Sequence, residues 1–316
     1  MKQTNLIAVM FLIAGCRATT PEDKGTKDIY TTDHYNITIA SDLSNRLNPK
    51  IYPKAVSDVE IVNTVVEDFY PKIVTHKRSM NQLDQLRVDF INKKQISQFG
   101  VNTKAMNLDL ASFKTQRERI EYLRNNYQTN KTAFLSEVER VHTSATARPS
   151  GSDIWTYLQA GVDDFIVNKE VSTGKIGETS FTNRYRNILI VTTDGYLETK
   201  FDISGYELSA KKIAEFRKSF LKSGESNIES FYINNKQFKI KSLTNPLLAD
   251  LEILVLELYD RTETIDGASV HPTDLEIIKL IWADWFKSSK IKRFEFHPKF
   301  SNRMEAEKII AKFIGI

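Results

Sequence analysis

Apolar positions along this chain alternate between two rhythms, a short run or period of two and then a period of three to four. Ile37-Thr38-Ile39-Ala40 is a β-prone run closed by Ser41-Asp42. After a loop holding Pro49 and Pro53, Val56, Val59, Val62, Val66, Phe69 and Ile73 recur at helical spacing. Residues 86–91 alternate as a strand, residues 116–127 and 131–142 carry helical spacing, and residues 153–167 predict an amphipathic helix opened by a Ser/Asp cap signal. Ile188-Leu189-Ile190-Val191, inside a strand expected over 186–193, is an unbroken apolar run of the kind buried on both faces of a parallel sheet. Residues 251–258 form a second such run, helices are expected over 208–222, 273–288 and 302–314, and a last strand over 293–296. Residues 231–233 and 238–240, flanking Asn234-Asn235, predict a hairpin. Strands alternating with helices give an α/β fold, three-layer and doubly wound around a mostly parallel sheet, with an inserted β-hairpin.

The first residues follow a different pattern. Lys2 precedes an unbroken apolar run from Leu6 to Ala14, as in an export signal. The run is too short to cross a bilayer, which takes about 20 apolar residues, and no later stretch approaches that length. Ile13-Ala14-Gly15-Cys16 resembles the lipobox of bacterial lipoproteins. The resemblance implies a signal peptide over 1–15, cleavage before Cys16 and a lipid on its thiol. Each buried methylene contributes about 0.8 kcal/mol, so several acyl chains make a stable anchor. Residues 16–33, rich in Thr, Lys, Asp and Glu, are expected to be a tether, and 34–316 the folded domain. Arg17, in place of an aspartate associated with inner-membrane retention, leans the expected location in the cell envelope towards the outer membrane.

Composition narrows the classes. Cys16 is the only cysteine, which excludes an intrachain disulfide and any multi-cysteine metal site. Against 44 basic residues stand 40 acidic ones, so the formal charge is +4, or +3 once Lys2 leaves with the signal. With no basic stripe interleaved with aromatics, no nucleic-acid partner is expected. A sequence of 316 residues that is 41% hydrophobic overall can bury a sizeable core.

In an open parallel sheet, ligands bind beyond the carboxyl ends of the strands. Three polar clusters should gather there: Asp42-Leu43-Ser44-Asn45-Arg46, Ser150-Gly151-Ser152-Asp153 and Thr193-Asp194-Gly195. Asp and Ser are hard oxygen donors suited to Mg²⁺. Together the clusters resemble the von Willebrand factor A domain family, whose adhesion site joins an Asp-x-Ser-x-Ser loop, a Thr and a further Asp around a metal. The resemblance implies a Mg²⁺ site of Asp42, Ser44, Ser152 and Asp194, completed by an acidic group of a protein or peptide partner. Arg46 departs from it by standing where the second Ser would be. A guanidinium cannot ligate a metal, so Arg46 either points away or closes the site by neutralising the two carboxylates itself.

Each residue also has a plainer role: Asp42 as a strand end, Ser152 as a helix cap, Thr193-Asp194-Gly195 as a turn. The expected function is a non-catalytic binding domain on a lipid tether. The alternatives are a scaffold of an envelope assembly with a dead metal site, and an Mg²⁺-dependent hydrolase using Asp42. His34, His76, His142, His271 and His297 show no metal-binding spacing, and GxGxxG, GxxxxGK[ST] and GxSxG are absent. Trp155, Trp282 and Trp285, at helical positions, are expected to cover the sheet.

Overall fold

A computed structural model describes residues 29–176, 179–198, 206–264, 267–268 and 270–316. The expected signal, Cys16 and residues 17–28 of the tether lie outside them. Among the described residues a seven-stranded sheet runs in the order β3-β2-β1-β5-β6-β9, with β4 paired to β5. The strands are β1 (Ile29–Ser41), β2 (Gln85–Phe90), β3 (Asn107–Asp109), β4 (Ser172–Ile176), β5 (Thr179–Thr192), β6 (Leu251–Leu258) and β9 (Arg293–Pro298). A two-rung hairpin, β7 (Glu263–Thr264) with β8 (Gly267–Ala268), stands apart. β1, β2, β5, β6 and β9 are mutually parallel, and β3 and β4 are antiparallel to their neighbours.

Helices cover both faces. On one lie α1 (Asp58–Asp68), α3 (Gln116–Asn125), α4 (Tyr127–Ala147) and α9 (Arg303–Ile314). On the other lie α5 (Ile154–Thr156, turning on through Gly161), α6 (Ala210–Ser223), α7 (Ile228–Asn234) and α8 (Asp274–Ser288); the short α2 (Lys93–Ile96) follows β2. This is the three-layer, mostly parallel, von Willebrand factor A-like arrangement. The unbroken apolar runs have a direct reading here. Ile188, Ile190, Leu254 and Leu256 enter one core, and Leu189, Val191, Ile253 and Val255 the other. The chain builds outward from β1 to β2 and β3, then returns to add β5, β6 and β9. Strand order therefore reverses between β1 and β5.

Four expectations change. β1 begins at Ile29, inside the stretch expected as tether, because β5 runs its whole length and pairs with it from Ile29↔Ser180 onward. The helix expected over 153–167 stops at Gly161, where Asn245 Nδ2 donates to the carbonyls of Leu158 and Val162 and Asp163 caps the next turn. No hairpin forms at 231–240. Asn227 instead caps α7, and Phe231 and Phe238 pack their rings on Phe216, so burial of aromatics outweighs the turn signal of Asn234-Asn235. A hairpin does form between β4 and β5, and the edge strand β3 is new; both are short and lack a strong apolar pattern. Trp282 and Trp285 are fully buried in the core as expected, whereas Trp155 is half-buried and stacks on Tyr206 at 4.1 Å.

Candidate functional site

The three polar clusters converge at the carboxyl ends of β1 and β5, where strand order reverses. They line a cavity of about 290 Å³ whose wall includes Asp42, Ser44, Arg46, Ser152 and Asp194. Asp42 follows β1 directly, and its backbone N–H still donates to Thr192 at 3.0 Å, so the β1–β5 pairing itself fixes the carboxylate. Asp194 sits on the matching turn after β5. Gly195 holds φ +87°, and a Cβ there would lie 2.6 Å from Leu258 Cδ2, so only glycine completes this turn. Trp282 Nε1 donates to its carbonyl at 3.0 Å and locks the turn to α8.

Asn92, after β2, ties the remaining loops together. Its Oδ1 accepts from Leu43 N at 3.1 Å, while its Nδ2 donates to Ser150 Oγ at 3.1 Å and to Gly151 O at 2.6 Å. Asp153, rather than Ser152, caps α5 by accepting from Thr156 N at 2.9 Å. Ser152 is thereby left to line the cavity.

Both carboxylates are buried, Asp42 at 2% and Asp194 at 7% exposure. Each of their four oxygens has a donor. Asp42 Oδ1 accepts from Ser44 N at 2.9 Å and Oδ2 from Thr193 Oγ1 at 3.0 Å. Asp194 Oδ1 accepts from Tyr196 N at 3.2 Å and Oδ2 from the Arg261 guanidinium at 3.2 Å. Arg46 turns inward, donating through Nε to Asp42 O at 3.1 Å with Asp42 Oδ2 at 3.7 Å. Its two terminal nitrogens grip Asp58, which also takes Lys54 and, at 2.7 Å, Thr192 Oγ1. Arg261 lies 3.7 Å above the Tyr196 ring and 5.7 Å from that of Tyr52, and its other arm reaches Glu198 at 2.9 Å. One guanidinium thus serves each carboxylate. Of the two arrangements open to Arg46, pointing away or neutralising both carboxylates, neither is realised: its guanidinium lies against Asp42 and Asp58.

The electrostatics follow this partition. Burial works against charge on Arg46, but Asp58 and then Asp42 outweigh it and hold the guanidinium firmly protonated. Burial likewise acts on Asp58, where Arg46 and Lys54 prevail and keep its carboxyl well below the usual range. Asp194 goes the other way. Burial and then the neighbouring Asp42 push it up to about 6, with Arg261 and Arg46 opposing. Glu257, at 3% exposure and φ +70° beside an irregularity in the β6–β9 register, faces Lys54 at 3.4 Å, and burial raises its pKa.

These residues, as packed, are a poor fit for Mg²⁺. A hard dication takes six oxygens at about 2.1 Å, whereas here two cationic side chains already abut the two carboxylates. Among the described residues no group of three or more His, Cys, Asp or Glu is arranged to hold a metal. His34 and His142 are buried. His34 accepts from Leu83 N at Nδ1 and donates from Nε2 to Asn183, and burial lowers its pKa to about 4.

Four participants escaped the sequence reading: Asp58, Asn92, Tyr196 and Arg261. Arg261 had one usable signal, since it follows the buried run 251–258 and so had to emerge at the same sheet end. The others become visible only once the loops are packed. No protein-family model matches the chain, and no curated protein matches it in sequence.

Proposed function

We propose that the chain is a lipid-anchored envelope protein whose von Willebrand factor A-like domain holds a protein partner at the strand-end crevice without a metal and without catalysis. The observation that carries this reading is the pairing of one guanidinium with each buried carboxylate, Arg46 with Asp42 and Arg261 with Asp194. Two carboxylates in one crevice need positive charge. Arginines supply it as part of the fold, so the crevice is complete without an ion. Arg46 is buried and structural, while Arg261, about a quarter exposed, stacked on Tyr196 and edged by Tyr52, is the cation a partner can touch. An aromatic-framed arginine in a cavity is the side-chain chemistry that dominates protein interfaces.

The test is capture of partners from native envelope by the full chain, with and without chelator, alongside Arg261→Glu. The same protein should be retained in both buffers and lost with the variant. Loss in chelator, or retention by Arg261→Glu, would refute the reading.

A further inference from the structure

We propose that the opposite end of the domain, at the amino ends of the parallel strands, is a seating surface for an anionic lipid bilayer. This rests on reading Cys16 as a lipid anchor. β1 enters the fold at that end, and only 12 residues lie between Cys16 and Ile29, a reach of at most about 45 Å when fully extended. The end facing away from the crevice is therefore the part of the domain nearest the anchor.

The surface there suits it. β1 and β5 outrun the rest of the sheet, since β2 joins β1 only from Asn36, and with β4 on the far side of β5 they form a three-stranded arm. Tyr30, 56% exposed, stacks on Phe181 at 5.9 Å. Val171 just before β4 is exposed, as is Met80, whose neighbour Asn81 donates to Asn183 of the arm at 2.9 Å.

Two cavities that meet at Arg186 adjoin the arm. Lys77, Lys169, Arg184, Arg186 and Lys292 line them, against four acidic side chains, while Arg78 is paired with buried Asp84. Glu252 alone answers Arg186, Lys292 and Arg293. Lys175 on β4 adds a further exposed charge. Exposed aromatic and apolar side chains ringed by a basic surplus match the interfacial zone of a membrane, where each Lys or Arg near an anionic surface gains about 1 kcal/mol. The crevice at Asp42, 12 residues further along than Tyr30, then faces outward by roughly 40 Å.

The test uses the full chain carrying Cys16→Ser, so that no lipid is attached, sedimented with vesicles of phosphatidylcholine alone or mixed with phosphatidylglycerol. Any contribution from the apolar residues 6–14 is common to both compositions. The mixed vesicles should bind more protein, with the excess falling as salt rises. Lys77→Glu and Lys175→Glu should each lower that excess at least about fivefold, while Lys50→Glu, at the crevice end, should leave it unchanged. Equal binding to both vesicles, an excess that survives either reversal, or binding to a soluble polyanion in preference to the vesicles would overturn the proposal. Incorporation of labelled palmitate into the wild-type chain and its loss in Cys16→Ser test the anchor separately. A negative result there would remove the anchor, while the vesicle comparison would still decide whether this face binds lipid.

Discussion

Replacing Arg46 by methionine keeps an unbranched apolar stem and removes the charge from a site only 3% exposed. Two carboxylates lose by it. Asp58 keeps Lys54 and Thr192 Oγ1 but loses a two-nitrogen grip, and Asp42 keeps Thr193 Oγ1 and Ser44 N but loses its nearest cation. Removing one partner of a buried ion pair costs about 3–5 kcal/mol, chiefly because the other charge stays behind unpaired. Lys54 softens the loss at Asp58, so the lower end, about 3 kcal/mol, is expected. At this chain length that lowers Tm by roughly 5 °C. Urea unfolding at neutral pH, followed by tryptophan fluorescence with Trp282 and Trp285 in the core, gives the difference directly. The double change Arg46→Met with Asp58→Asn removes both charges and should lie closer to wild type than Arg46→Met alone. A single-variant loss below about 1 kcal/mol, the range of surface ion pairs, or a double variant worse than the single one would refute the reasoning.

Other changes test other parts of the crevice. Gly195→Ala forces a left-handed residue onto a Cβ and a clash with Leu258, and should cost about 2–4 kcal/mol in the same assay. Thr193→Val removes the hydroxyl that donates to Asp42 and accepts from Gly195 N, for a loss of about 1–2 kcal/mol. Asp194 has its pKa raised from 3.8 to about 6, so its contribution to stability is fully present below pH 3.8 and is lost as pH rises through about 6. Relative to wild type, Asp194→Asn should therefore gain stability between pH 4 and pH 7, a trend read from urea midpoints at the two ends; a flat difference would contradict it. Arg261→Gln, at a site about a quarter exposed, should weaken partner capture while shifting Tm by only a few degrees.

The legible part of the sequence was the part set by periodicity. Ile188-Leu189-Ile190-Val191 and residues 251–258 had to be central strands, because no other element buries every side chain of a short run. The order of strands and helices then placed Asp42, Ser152 and Asp194 at one end of one sheet, and they do line one cavity. Residues 231–240 misled because aromatic and β-branched residues around Asn-Asn satisfy a hairpin as well as they satisfy a helix, and only the rings of Phe216 and Phe220 decide between them. Arg46 was read as the residue that departs from the pattern, but its chief partner is Asp58 at the start of α1. Nothing local announces a pairing between a loop and a helix twelve residues away. Arg261 lies 67 residues beyond Asp194, and its role exists only through strand order.

Titrating the full chain with Mg²⁺ in a calorimeter, and with Mn²⁺ followed by its electron paramagnetic resonance signal, tests most directly whether arginines stand in the metal's place. With Arg46 and Arg261 at the two carboxylates, neither ion should be taken up saturably. One equivalent bound by wild type and lost in both Asp42→Asn and Asp194→Asn would contradict it.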